Sequence, residues 1–199
     1  MITDKQKKEL LAFAKECREV HIPVVRENTA NLLCEYVEKI QPQKILEIGT
    51  AVGYSGTLML LSAQNSKLVT VDMNADMSKK ACETFLKYGV QGRAETITQD
   101  ALEYLQNCTD VFDFVFLDGP KGQYVKYFPY LEKITKSGSV IFCDDVLYYG
   151  MILDETKVIH KKITIVRNLK EFLNLAKNSP LYNSKLLEID DGVLVLERK

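Results

Sequence analysis

Three aspartates and one lysine stand in two short segments that each follow an apolar run. Asp118 comes directly after Phe112–Leu117, and Lys121 lies three residues further on, in Asp118-Gly119-Pro120-Lys121. Asp144 and Asp145 follow the run Ser139–Cys143. If both runs are parallel strands, their ends share the sheet edge at which such folds bind ligands. Three carboxylates converging there repel one another unless a cation sits between them. An all-oxygen donor set suits a hard ion such as Mg²⁺, Mn²⁺ or Ca²⁺, and not zinc. The plainer alternative is one helix cap plus two solvated loop aspartates. The turn residues after Asp118 can fold Lys121 back toward the same point, where a lysine can serve as a base or stabilise an oxyanion. Its alternative is a solvated side chain at a helix start.

A second group precedes these. Glu47-Ile48-Gly49-Thr50-Ala51-Val52-Gly53-Tyr54-Ser55-Gly56 sits where an apolar run turns into a helical pattern. Glycines there let a ligand approach the backbone, and a helix N-terminus offers free N–H groups. Gly49 and Gly53 are separated by three residues, which is not the dinucleotide fingerprint, and no Gly-Lys-Ser/Thr phosphate loop is present. Asp72 ends the next apolar run, nineteen residues after Gly53. A carboxylate so placed can accept from both hydroxyls of a ribose. Met73 beside it can pack on an adenine ring, and Asp100, ending the following run, can accept from an exocyclic amine. For each carboxylate the alternative is a cap on the next helix.

Alternating strands and helices must position these groups. Thr3 and Gln6 fit a capping box ahead of Leu10, Phe13, Ala14 and Cys17 at helical spacing. Pro23 breaks that pattern, and a second helix runs through Leu32 to Ile40 until Pro42. Strands are expected at 44–48, 68–72, 94–98, 112–117 and 139–143, with helices at 55–63, 75–88, 101–105, 124–134 and 163–176. Near-continuous apolar strands between helices indicate a parallel sheet covered on both faces. At the end, 186–189 and 193–196 flank Asp190-Asp191-Gly192, as a tight-turned hairpin would. The expected fold is therefore α/β: a seven-stranded, mostly parallel sheet with a C-terminal antiparallel hairpin and helices on both faces. Residues 1–42 form a helical extension on a core of 43–199.

The chain has 199 residues, enough to bury a core without staples, and 46% of them are hydrophobic. With 26 basic and 27 acidic side chains, its net charge of −1 argues against coating nucleic acid by charge alone. No run approaches the length of a membrane span, and the polar opening MITDKQKKEL lacks a signal-peptide core. Cys17, Cys34, Cys82, Cys108 and Cys143 are odd in number and scattered. They read as reduced thiols of a cytoplasmic protein.

Taken together, Leu46–Gly56 resembles the first motif of class I S-adenosylmethionine-dependent methyltransferases. With Leu117–Lys121 and Cys143-Asp144-Asp145-Val146-Leu147, the chain resembles the metal-dependent catechol-type O-methyltransferases over roughly residues 18 to 197. Within that family it looks most like the bacterial branch that methylates 5-hydroxyuridine in tRNA, a branch also matched by His21-Ile22-Pro23-Val24 and by the loop at Gly150. The resemblance implies a fold of the Rossmann-like methyltransferase type. It places Glu47, Gly49, Gly53, Tyr54 and Ser55 around the methionine part of S-adenosylmethionine, with Val24, Thr50 and Asp118 also among the residues binding the cofactor. Asp72 would hold the ribose, with Met73, Asp100 and Ala101 at the adenine. Asp118, Asp144 and Asp145 would hold the divalent cation, and Lys121 would be the catalytic lysine, with Asp118 beside it. The family usually has Asn where this chain has Asp145. Three carboxylates around a doubly charged ion should tighten its binding and weaken its pull on a bound hydroxyl's proton.

That resemblance implies O-methylation, with two neighbouring oxygens of the acceptor held at the metal. Catechol has such a pair, and so does 5-hydroxyuridine through its 5-hydroxyl and 4-carbonyl. The segment 157–170 carries Lys157, Lys161, Lys162, Arg167 and Lys170 with no acid. It reads as a face for tRNA phosphates, with Lys161 and Lys162 as contacts, or as a solvated helix face. Tyr148 and Tyr149 can stack on a base or ring, or pack as a lid or in the core. The resemblance also implies a homodimer. Two rival classes are a non-catalytic S-adenosylmethionine-binding module and a nicotinamide oxidoreductase on the same sheet.

Overall fold

The protein is described here by a computed structural model covering residues 2–199. It divides into two compact units, Met1–Asp100 and Ala101–Lys199.

In the first unit, helices α1 (Asp4–Glu19) and α2 (Glu27–Ile40) precede strand β1 (Lys44–Ile48). The expected capping box opens α1: Thr3 accepts from the Gln6 N–H, and the Gln6 side chain accepts from Thr3. Helix α3 (Tyr54–Ser62), strand β2 (Lys67–Asp72), helix α4 (Ala75–Lys87) and strand β3 (Ala94–Thr98) follow. The three strands are parallel, with β2 between β1 and β3 and Ile48 opposite Val71. Helix α3 has almost no solvent face, because eight of its nine residues are buried. Gly56 makes that fit possible, since a Cβ on it would lie 2.7 Å from Leu68 Cδ2. The guanidinium of Arg93 donates to the carbonyls of Leu60, Ala63 and Ser66, closing the C-terminal end of α3, where a cation also suits the helix dipole.

The second unit contains α5 (Ala101–Asn107), β4 (Phe112–Leu117), α6 (Tyr124–Lys133), β5 (Thr135–Cys143), α7 (Ile163–Asn178), β6 (Tyr182–Leu187) and β7 (Val193–Arg198). Strands β4 and β5 are parallel, whereas β7 pairs antiparallel with both β5 and β6. Its core is aromatic: Phe114, Phe116 and Phe142 on the strands, and Tyr124, Phe128 and Phe172 from α6 and α7, are all buried. The seven strands are ordered β3-β2-β1-β4-β5-β7-β6, the mixed sheet with a parallel core and antiparallel C-terminal hairpin that the sequence predicts.

Most boundaries fall within two residues of expectation, and two strands differ by more. Strand β5 begins at Thr135, four residues earlier than predicted, because Ser139 turns its hydroxyl to the Phe112 carbonyl and keeps the polar stretch in the sheet. Strand β6 covers Tyr182–Leu187 instead of 186–189, and residues 188–192 form a wider turn. It is an edge strand with Asn183, Ser184, Lys185 and Leu186 exposed, so it carries no alternating apolar signal. Among the described residues no helix is long and apolar enough to cross a membrane.

Candidate active site

The glycine loop follows β1, and hydrogen bonds to β2 fix its path. Gly49 has φ 102° and Gly53 φ 76°, values at which a side chain is strained. The Gly49 N–H donates to the Val71 carbonyl at 2.9 Å, and the Ala51 N–H donates to Asp72 Oδ2 at 3.0 Å. Asp72 Oδ1 accepts from the Asn74 N–H at 2.9 Å. Asp72 thus ties the loop after β1 to the start of α4, and each of its oxygens keeps capacity for a further donor.

Beneath the loop, Glu47 is wholly buried in the middle of β1. Ser55 donates to its Oε1 at 2.5 Å and Thr70 to its Oε2 at 2.6 Å, while the Thr50 and Thr70 hydroxyls lie 2.6 Å apart. These contacts knit β1, its loop, α3 and β2 into one framework. The sequence gives no sign of Thr70; its role comes from the β1–β2 register, which sets it opposite Glu47.

Gly49 and Asp72 are half-buried at the rim of this loop, Met73 is 71% exposed and Asp100 is exposed. Ala101 opens α5, and Val24 is half-buried between α1 and α2. Tyr54 is buried and lines a cavity of about 270 Å³ with Leu10, Ala30, Cys34 and Leu58. Burial, with the Cys34 thiol as the next cause, pushes its phenol up to about 12.

The aspartate cluster lies within the second unit. Asp118 follows β4 and Asp144 and Asp145 follow β5; one carboxylate oxygen from each lies within 4.8 Å of the others. The parallel pairing sets Leu117 opposite Cys143, and the Asp144 N–H donates to the Leu117 carbonyl at 3.1 Å. Asp144 is 2% exposed. Burial first, then the charges of Asp118 and Asp145, push its carboxyl up from 3.8 to about 8. Burial and like charge both disfavour the ionised form, and the Lys121 ammonium offsets part of that. Asp144 Oδ1 also accepts from the Asp145 N–H at 2.7 Å, and Asp145 has φ 53°. Tyr148 and Tyr149 share that left-handed geometry, and such backbone strain persists where the surroundings over-determine it.

Lys121 reaches the cluster as its spacing suggests. Its Nζ donates to Asp118 Oδ1 at 2.6 Å and to the Tyr124 hydroxyl at 3.0 Å. Burial by itself would lower its ammonium pKa, but Asp118, Tyr124 and Asp144 outweigh that and hold it well above the ordinary lysine value. Tyr124, not foreseen, completes the relay by donating to the Leu117 carbonyl at 2.9 Å. A second cavity, of about 460 Å³, opens beside Lys121 and is lined by Gln123, Lys126, Tyr148, Ile165 and Asn168.

The basic segment is only partly available. Lys170 pairs with Glu155 at 2.6 Å, and Lys157 lies 4.0 Å from Asp154, both acids standing just before the segment in sequence. Lys162 sits over the Tyr148 ring at 5.5 Å, and Lys161 is exposed. Tyr148 is nearly buried, whereas Tyr149 is 67% exposed.

Comparison with known proteins identifies the family. The O-methyltransferase family pattern matches residues 4–199. A "Probable caffeoyl-CoA O-methyltransferase 1" of Dictyostelium discoideum is 27% identical over 99% of this chain and 86% of its own length. A catechol O-methyltransferase of Niastella koreensis is 28% identical over 73% of this chain and 69% of its own. The crystal structure of the O-methyltransferase TomG of Streptomyces achromogenes, solved in complex with SAM, shares the fold with a TM-score of 0.83 at 24% identity, over 95% of this chain and 88% of that one. This chain belongs to the O-methyltransferase family.

Proposed function

We propose that the enzyme methylates a hydroxyl that has a second oxygen beside it, with a divalent cation held by Asp118, Asp144 and Asp145. The observation that carries this reading is the trio of carboxylate oxygens within 4.8 Å of one another, with the Asp144 carboxyl pushed up by burial and by its acidic neighbours. The donor set fits a hard cation: three acidic oxygens, and no sulfur or imidazole in the cluster. Such a cation, Mg²⁺ or Mn²⁺ foremost, would orient the two acceptor oxygens and lower the hydroxyl's pKa. S-adenosylmethionine would be held by the glycine loop, with Asp72 at its ribose, and supplies an electrophilic methyl carbon. In such a transfer the C–O bond would form as the C–S bond breaks, and the hydroxyl proton would leave to solvent.

The chain's own residues then do three things. Asp72 and Glu47 hold the donor loop rigid, which favours an in-line approach. Lys121, kept as an ammonium by Asp118 and Tyr124, is suited to stabilise negative charge on the acceptor oxygen rather than to take its proton. The cavity beside Lys121, with Tyr148 and Ile165 in its lining, would take the acceptor ring.

A catechol-like small molecule fits this reading, as the names of the relatives suggest. A second reading, 5-hydroxyuridine at the tRNA wobble position, is supported by the exposure of Tyr149 and of Lys161. Base stacking and phosphate contacts of that kind serve single-stranded RNA. The test is methyl transfer by the purified enzyme to catechol and to tRNA containing 5-hydroxyuridine, each with Mg²⁺ or with chelator. Cation-dependent transfer to either acceptor is expected and selects the substrate. Transfer that is indifferent to chelator sinks the cation reading.

A further inference from the structure

We infer that Asp191, in the turn between β6 and β7, is a positioning residue that holds the aspartate-bearing loop after β5. Asp191 is forty-six residues beyond Asp145 in sequence, and its side chain is 9% exposed. Its Oδ2 accepts from the Tyr149 N–H at 2.6 Å. Its carbonyl accepts from the Leu147 N–H at 2.8 Å, and the Gly192 carbonyl accepts from the Val146 N–H at 3.0 Å. Three amides of 146–149 therefore end on two residues of the hairpin turn. These are the amides that follow Asp144 and Asp145, in the stretch where Asp145, Tyr148 and Tyr149 hold positive φ.

Left-handed backbone at three non-glycine residues is costly and needs an outside hold. The turn supplies it, and it is built for close approach. A Cβ on Gly192 would lie 2.3 Å from Leu147 Cγ, so only glycine lets the two segments meet. With φ 86°, Gly192 also has a conformation that a side chain resists. The turn thus fixes where the Asp144 and Asp145 carboxylates point, and Asp191 makes its only side-chain contribution to that hold through Tyr149 among the bonds described.

The inference rests in part on the proposed cation, so its test has two arms. The first is Mn²⁺ affinity by calorimetry; the second is deuterium uptake of the peptide spanning 145–153 in cation-free buffer. Asp191→Ala is expected to weaken Mn²⁺ by about 10–100-fold, the usual effect of removing a partner that orients metal ligands, and to speed exchange of the peptide. Asp191→Asn keeps an acceptor oxygen without the charge and is expected to track the unaltered protein in both arms. Glu188→Ala, in the same turn, should change neither. If Asp191→Ala does not fold, Asp191→Ser carries the same comparison. Unchanged exchange in Asp191→Ala overturns the tether. Asp191→Asn behaving like Asp191→Ala also overturns it, because the effect is then one of charge. If the unaltered protein binds no Mn²⁺, the cation reading fails, while the exchange arm still decides the role of Asp191.

Discussion

Replacing Asp144 by Asn should stabilise the cation-free protein while destroying its cation site. Asp144 is 2% exposed, and its carboxyl is raised from 3.8 to about 8 by burial and by Asp118 and Asp145, with Lys121 offsetting part of this. A carboxyl whose folded pKa is raised binds its proton more tightly when folded. Its contribution to stability is therefore intact below pH 3.8 and is lost progressively as pH rises to about 8. A shift of that size corresponds to about 5–6 kcal/mol at 1.36 kcal/mol per pH unit. Coulomb's law gives the same order: two charges no more than 4.8 Å apart repel by at least about 3 kcal/mol at an effective dielectric constant near 20. Asn removes the charge, keeps the oxygen that accepts from the Asp145 N–H, and gains an amide that can donate to the neighbouring carboxylates. If half of the penalty is recovered, about 3 kcal/mol, the melting temperature rises by about 6–12 °C in a chain of this size. The assay is thermal unfolding of both proteins in chelator at pH 4, 6 and 8. The gain should be near zero at pH 4 and greatest at pH 8. Added Mn²⁺ should stabilise the unaltered protein and leave Asp144→Asn unmoved. A variant that is less stable than its parent at pH 8 in chelator would refute the reasoning, because the cluster would then not be a site of repulsion.

Lys121→Ala should depress the methylation rate and leave S-adenosylhomocysteine affinity, measured by calorimetry, nearly unchanged; full turnover removes Lys121 from the mechanism. Reversing charge at Lys161 and Lys162 should weaken methylation of tRNA and spare catechol, and equal loss on both acceptors counts against an RNA face. Gly53→Ala places a side chain at φ 76° and 3.1 Å from the Ala81 backbone. It should cost at least about 1–2 kcal/mol in urea unfolding, together with weaker cofactor binding, and a neutral result would mean that the loop relaxes freely.

Much of the site is legible in the chain because its residues stand at the ends of apolar runs. Asp72 ends β2, and Asp118 and Asp144 follow β4 and β5, strands whose buried patterns are plain; the parallel pairing of β4 with β5 brings Asp118 and Asp144 to one edge. Lys121 is legible because Gly119 and Pro120 leave the chain little choice but to turn back toward Asp118. Thr70, Tyr124 and Asp191 are not legible. Each is an ordinary residue type whose importance comes from what lies opposite it across the sheet or the turn. The limits of β6 escape for a different reason: a solvated edge strand has no apolar face, so its pairing with β7 rests on backbone hydrogen bonds that every residue type can make.

Sequence by itself determined the order of strands and helices, the glycine loop and the aspartates that bracket β4 and β5, because burial imposes periodicity on local composition and turns demand particular residues. Only tertiary structure decided that Glu47 is braced by Thr70, that Lys121 is held as an ammonium, and that a hairpin turn grips the loop carrying Asp144 and Asp145. Those outcomes depend on register and on charges brought together from distant points of the chain, and no local pattern encodes them.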